Sequence, residues 1–425
     1  MTNKINSNTM CILPFMHMAT KTDGSIKLCC RSSPMGNINE SSLSEIWNSN
    51  EYKEVRRKIL NNERPAECEA CFRQEDIGVR SLRQRYNSHR LPQYEHSVQN
   101  MNADYSMPFQ IPILEAKLSN LCNLKCRMCH PLDSTSWAKD WPVISHLMKD
   151  NNTSTFSKVE SLRLPDRPFL NAWENNSNFW SEFDKLLPYF ERIEFAGGEP
   201  ILDPTHYSIL EKLLPRANQI NLKYSTNLSK LDFKGNPIQN LWQKFKRIDL
   251  IVSIDGIGDM YEYIRQLGDY RTLQSNIKQA HLNSNVVIVG SCTFQVYNVF
   301  SLPEIFDEFV ETLDIGVQSH LVNYPKFLDM RIIPADIKLE LSNKLRAYKE
   351  SIHSKVHPNW TDRRKSDAEK YTLDVLNSLN GGDMAGLIPE FIEFSDLLDK
   401  AQNCKYTWRE LLPELAIALQ QNTNE

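Results

Sequence analysis

Residues 111–335 alternate strand-like and helix-like segments, and this alternation limits the fold more than any other feature of the chain. The segments 111–118, 192–196, 220–225, 247–254, 286–296 and 316–322 read as strands. Amphipathic stretches at 180–190, 207–214, 271–280 and 302–312 separate them. Repeated β-then-α order calls for a parallel sheet covered by helices. In such sheets ligands gather at the C-terminal ends of the strands.

The first strand runs straight into Cys122-Asn-Leu-Lys-Cys126-Arg-Met-Cys129-His130. Three thiolates at this spacing can hold three irons of a [4Fe-4S] cube and leave the fourth iron open. An open iron can bind and reduce a second molecule, so the loop is a candidate catalytic centre. A zinc knuckle would want four protein ligands. An ordinary ferredoxin-like cluster would want a fourth cysteine. His130 could supply a fourth ligand, but its place beside Cys129 gives poor geometry.

The other cysteines add to this. Cys11, Cys29, Cys30, Cys68 and Cys71 lie in the first 71 residues, whereas Cys292 and Cys404 stand alone. Two groups imply two metal sites. The amino-terminal stretch lacks a basic start and an apolar core, and no apolar run reaches the roughly 18 residues of a membrane span. The expected location is therefore cytoplasmic, where clustered cysteines point to metal or redox chemistry. A net charge of −4 with both signs mixed gives no sign of general nucleic-acid or membrane binding.

Residues 1–90 form a first expected domain. The Asp23-Gly24 turn joins two short strands within 16–28. A helix is expected over 42–60, with Ser41 or Ser42 as its N-cap. Cys68-Glu-Ala-Cys71 follows as a metal-site knuckle. Arg80, Arg83, Arg85 and Arg90 follow it and read best as a solvated helix face. Residues 91–110 are polar and weakly patterned, which reads as a linker. Residues 336–425 read as a helical extension with a break at Asn380-Gly-Gly-Asp383.

The Cys122–Cys129 loop resembles the signature of the radical S-adenosylmethionine (SAM) superfamily. Later segments match in order. Phe195-Ala-Gly197-Gly198-Glu199-Pro200 resembles the motif that binds the SAM amine in that family. Ser225-Thr226-Asn227 resembles the segment near the SAM ribose. Ser253-Ile254-Asp255-Gly256 resembles a further strand end, and Ser253 and Asp255 share one side of it. Arg265 resembles the arginine that pairs with the SAM carboxylate, a task suited to a bidentate guanidinium. Met128 stands where relatives often carry an aromatic residue, which leaves backbone contact to adenine open.

The amino-terminal region resembles a twitch/SPASM auxiliary-cluster domain, on Cys11-Ile-Leu-Pro-Phe-Met-His17, Asp23-Gly24, Leu28-Cys29-Cys30, Ile46-Trp47-Asn48 and Cys68-x-x-Cys71. In that family the domain usually follows the barrel; here it precedes it. The resemblance implies ligation of a second [4Fe-4S] cluster by Cys11, Cys29, Cys68 and Cys71, with Cys30 able to replace Cys29. The same four thiolates would also suit zinc.

Together the resemblances imply an α/β fold: a partial (β/α)6 TIM-like barrel, a small N-terminal α+β iron–sulfur domain and a helical C-terminal extension. They imply an oxidoreductase that cleaves SAM reductively, served by a flavodoxin- or ferredoxin-like electron donor. The implied substrate is a peptide or protein side chain. A small metabolite, sugar or nucleotide is the alternative, and a non-catalytic iron–sulfur or zinc protein is a third. Thr293 and Gln295 are expected to point into the barrel. Cys292 then faces the outer helices as a buried small hydrophobe. Cys404 is a structural thiol or a hydrogen-atom donor.

Overall fold

The computed structural model describes residues 8–88, 91–147, 176–322 and 324–421. The chain divides into two compact units. Unit 1 holds residues 1–120, 169–225 and 236–249; unit 2 holds residues 121–168, 226–235 and 250–425. These units cut across the expected boundaries at residues 90, 110 and 335.

Unit 1 is built on β1 (His17–Thr20), β2 (Ser25–Lys27), β3 (Pro34–Asn37), β4 (Ile113–Lys117), β5 (Arg192–Ala196) and β6 (Asn221–Thr226), in the order β6-β5-β4-β1-β2-β3. β6, β5, β4 and β1 are parallel, as the β-then-α order requires. β1, β2 and β3 form an antiparallel meander. The β1–β2 turn needs Gly24: its φ is +80°, and an added Cβ would meet Asn39 Nδ2 at 2.6 Å.

The parallel strands have two unlike faces. Leu114, Ala116, Ile193, Phe195, Leu222 and Tyr224 are buried on one. The helix Pro204–Leu213 meets this face through His206, whose Nε2 lies 2.8 Å from the Tyr224 hydroxyl. Burial pushes that imidazole down to about 3, so it stays neutral. The opposite face carries Glu115, Lys117, Arg192, Glu194, Lys223 and Ser225.

Two expectations fail in unit 1. The helix over 42–60 is two helices, Leu43–Trp47 and Asn50–Leu60. Ser42 caps the first with a capping box, and Ser49 caps the second by accepting from the Tyr52 amide. The break lets Trp47 Nε1 donate to the Pro108 carbonyl at 3.0 Å and Asn48 Nδ2 to that of Met107 at 2.9 Å. For the same reason residues 91–110 are not a free linker. They hold the helix Leu91–Gln99, and buried Arg56 donates to the Tyr105 carbonyl.

In unit 2, Val286–Phe294 and Gly316–Leu321 pair in parallel. The expected helix over 302–312 is Leu302–Asp307 followed by a wider π-type turn, Glu308–Thr312. The C-terminal region is helical at Ala335–Ser351, Asp362–Leu379, Ile388–Ala401, Trp408–Leu411 and Pro413–Gln421, with the expected break after Leu379. Among the described residues no helix is long and apolar enough to cross a membrane.

Candidate functional site

The Cys122–Cys129 loop of unit 2 is held mainly through its backbone. Lys125–Cys126 pairs with Arg265–Gln266 in a two-residue antiparallel ladder. The Arg127 amide donates to the Ile264 carbonyl at 2.9 Å. The turn that follows closes on the loop: Ser134 Oγ donates to the Leu124 carbonyl, Ser136 Oγ to that of Cys122, and Trp137 Nε1 to that of Cys126. These bonds fix the path of the loop's backbone. Cys126 is buried; Cys122 and Cys129 are half-buried.

Two donors reach the sulfurs. Arg265 Nη1 lies 3.5 Å from Cys126 Sγ, and Asn227 Nδ2 lies 3.8 Å from Cys122 Sγ. A hydrogen bond from Cys129 lowers the Cys126 thiol, and Arg265 adds to this against the burial. Cys129, the other partner in that bond, is raised by it and by burial.

Arg265 also has a partner within this chain. Its Nη2 lies 2.7 Å from Asp255 Oδ2, so a carboxylate of this chain already holds it. Its Nε is buried with no hydrogen-bond partner. Burial raises the Asp255 carboxyl, and Arg265 draws it back in part. Asp255 also accepts from the Thr293 amide at 2.6 Å. Ser253 and Met128 are half-buried. His130 lies 3.2 Å from Asp133 and serves that pair. Gln295 is fully buried, with neither amide atom hydrogen-bonded. Cys292 is fully buried as expected, though Asn298 Nδ2 stands 3.5 Å from its sulfur.

A brace on the loop escaped the sequence reading. Arg127, between two of the cysteines, is completely buried. Its Nε donates to the Tyr263 carbonyl at 3.1 Å, and its guanidinium lies 3.7 Å from the Tyr263 ring centre. Its Nη2 meets Asp399 and, at 3.3 Å, the sulfur of Cys404. Cys404 is therefore a structural neighbour of Arg127. Asp399 is 272 residues away in sequence, and no local pattern announces it.

In unit 1, Gly197 has φ +134°, and a Cβ there would meet the Ser119 carbonyl at 2.7 Å. The glycine is thus demanded by a neighbouring backbone, before any ligand. The Gly198 amide donates to the same carbonyl at 2.7 Å. Glu199 is buried and accepts from the Ile201 amide, capping the short turn Pro200–Leu202. Ser225 is exposed.

Cys11, Cys29, Cys68 and Cys71 line one cavity together with Arg83. This separates the tandem pair. Burial and the nearby Cys11 push the Cys29 thiol up to about 12. Burial, then Cys29 and Cys71, push Cys68 to about 12. Cys30 does not line that cavity; its charged neighbours include Glu115 and Lys223. Four thiols crowded this way fit a cluster that takes them as thiolates. Among the described residues, no three Cys, His, Asp or Glu side chains converge closely enough to hold a single metal ion. Residues 11–72 match the SPASM family, an iron-sulfur cluster-binding domain.

The SPASM segment carries β1, β2 and β3, so it extends the sheet of unit 1. Arg83 follows it and is buried, not solvated as the arginine run suggested. It donates to both Glu75 oxygens and to the Met10 carbonyl, beside Cys11. Arg80 and Arg85 are half-buried, and Arg90 lies outside the described residues. No curated protein matches the chain. Among solved structures, TYW1 with a lysine-pyruvate adduct bound is similar at 14% identity and a TM-score of 0.27, over 56% of this chain and 71% of that one.

Proposed function

We propose that this chain is a radical SAM enzyme carrying two [4Fe-4S] clusters, and that it modifies a peptide or protein side chain. One observation supports this above the others. A loop supplying three thiols, and no fourth, has hydrogen-bond donors at two of its sulfurs and stands in the same chain as a SPASM segment.

In this reading Cys122, Cys126 and Cys129 hold the catalytic cluster. When bound, that cluster would supply the electron for reductive cleavage of SAM to methionine and a 5′-deoxyadenosyl radical, which would abstract a substrate hydrogen. Arg265 and Asn227 stabilise thiolate charge by donating toward the sulfurs. Arg265 keeps Nε available for the SAM carboxylate while Asp255 fixes its plane. Glu199 accepts from the SAM amine. Asn227, Ser225 and Ser253 are ribose contacts, and the backbone at Met128 meets adenine. Cys11, Cys29, Cys68 and Cys71 fully ligate the second cluster, which suits electron relay over substrate ligation. A flavodoxin- or ferredoxin-like protein delivers the electrons. A partial (β/α)6 barrel is the fold this reading expects.

Anaerobic reconstitution tests it. Two four-iron clusters correspond to about eight irons per chain. Reduction with SAM present is expected to yield 5′-deoxyadenosine. Zinc in both sites with no SAM cleavage would sink the reading. Deuterated peptides test the substrate class through label recovered in 5′-deoxyadenosine.

A further inference from the structure

Arg83 and Glu75 form an ion pair at the SPASM cavity, and their two charges are placed unequally. Arg83 lines the cavity with Cys11, Cys29, Cys68 and Cys71; Glu75 does not. The positive end of the pair is thus on the cavity wall, and the negative end is off it.

The guanidinium is fixed in that place. Its Nε lies 3.0 Å from Glu75 Oε1, and its Nη2 meets the other oxygen. Its Nη1 donates to the carbonyl of Met10, the residue before Cys11. Its central carbon lies 5.0 Å from the ring centre of Phe72, the residue after Cys71. Ser81 also donates to Glu75, and it caps the helix Leu82–Asn87 that carries Arg83. A guanidinium held by a carboxylate, a carbonyl and a ring keeps its charge at the cavity.

The rest of the wall does not offset that charge. Arg31 and Glu67 also line the cavity, and their signs are opposite. Leu13 and Leu82 add apolar surface, so a charge acts strongly there. The Arg83 charge reaches thiols far apart in sequence. Burial is the largest influence raising Cys11 and Cys68, and Arg83 acts against it on both.

We propose that the Arg83–Glu75 pair raises the reduction potential of the cluster held by Cys11, Cys29, Cys68 and Cys71. A cluster gains negative charge when it takes an electron, and a fixed positive end beside it favours that state. Arg83 acts through its charge, as a positioning residue. The inference rests on the reading that this cavity holds a [4Fe-4S] cluster, and it adds what the chain does to that cluster's electron affinity.

A redox titration followed by electron paramagnetic resonance tests it. The reconstituted full chain carries Cys126→Ala, so that one cluster is read. Glu75→Gln keeps an acceptor for Arg83 and Ser81 but removes the negative end. It is expected to raise the midpoint potential by about 59 mV or more, a tenfold shift in the one-electron reduction equilibrium. Arg83→Met removes the positive end and leaves Glu75. It is expected to lower the potential by at least as much, read on the chains that retain the cluster. Opposite shifts separate charge from packing, because a loosened cavity would admit water and move both variants the same way. Ser81→Ala loosens the same carboxylate and keeps both charges, and it should leave the potential unchanged. Shifts of one sign in Glu75→Gln and Arg83→Met overturn the inference, as does an unchanged potential in Glu75→Gln. Should Arg83→Met retain no cluster, Glu75→Gln against Ser81→Ala decides, and equal shifts in those two overturn the inference. Iron well below about four per chain in the Cys126→Ala parent would sink the cluster reading itself, and the inference with it.

Discussion

The four thiols of the SPASM cavity and the three thiols of the Cys122–Cys129 loop are positioned by opposite means. The first set comes from separate elements spread over some sixty residues, and a buried arginine, Arg83, lines the cavity they share. The second set comes from one short segment, zipped by backbone hydrogen bonds to Arg265–Gln266 and closed by Ser134, Ser136 and Trp137. Its arginine, Arg127, holds the loop from behind. A site assembled from distant pieces depends on the fold around it. A site in one loop depends on its own backbone and a brace.

The comparison can be broken at several levels. The largest effect is expected from Cys126→Ala: 5′-deoxyadenosine formation should fall more than about 100-fold, a loss of about 2.7 kcal/mol or more in transition-state stabilisation. Retained cleavage would place the catalytic cluster elsewhere. Cys68→Ala should remove one cluster and spare the other, halving iron from about eight to about four per chain. An unchanged iron count would show that the SPASM cavity is not an iron–sulfur site.

The two arginines come next. Arg83→Met strands Glu75, and Arg127→Met strands Asp399, each in a buried ion pair. Each loss should cost about 3–5 kcal/mol in denaturant unfolding. Arg127→Met should also weaken iron retention in the loop while sparing the SPASM cavity, with Arg83→Met the reverse. Identical iron loss in both variants would show the sites to be coupled.

A smaller effect is expected from acid. Burial alone would raise the Glu194 carboxyl, but Lys223, Arg192 and His17 outweigh it and hold the group at about 2, below its ordinary 4.5. Because the folded-state value is the lower one, the stabilisation is present above pH 4.5 and is lost as the pH falls toward 2. Its size is roughly 3 kcal/mol, at about 1.4 kcal/mol per unit. Glu194→Gln should remove that slope from a pH series of unfolding free energies. This probes the sheet that carries the SPASM segment, not the Cys122–Cys129 loop.

Local signals were readable in the chain, and long-range ones were not. The strand-like segments at 192–196 and 247–254 fall on Arg192–Ala196 and Arg247–Ser253, because the alternation of polar and apolar residue types is written residue by residue. Asp23-Gly24 marked its hairpin through the positive φ that glycine permits. The helix break at Asn48 has a local mark in the Ser49 cap, but the partners it serves, Met107 and Pro108, lie some sixty residues on. Arg127 gave no sign of its role, because Asp399 and Cys404 reach it only in the folded chain. Cys29 and Cys30 could not be told apart by spacing. The cavity separates them, since only Cys29 lines it.

The parallel pairing of β1 with β4 carries a consequence for how this chain can be taken apart. His17–Thr20, inside the SPASM segment, lies in register against Ile113–Ala116. Excision of residues 1–110 would strip β4 of a neighbour along its length and leave a row of unpaired amides and carbonyls beside apolar Ile113 and Leu114. The remainder would be a sticky fragment prone to pair with its own copies. In this protein the iron–sulfur segment cannot be swapped as a cassette, because the sheet it would leave behind is finished by the strand it takes away.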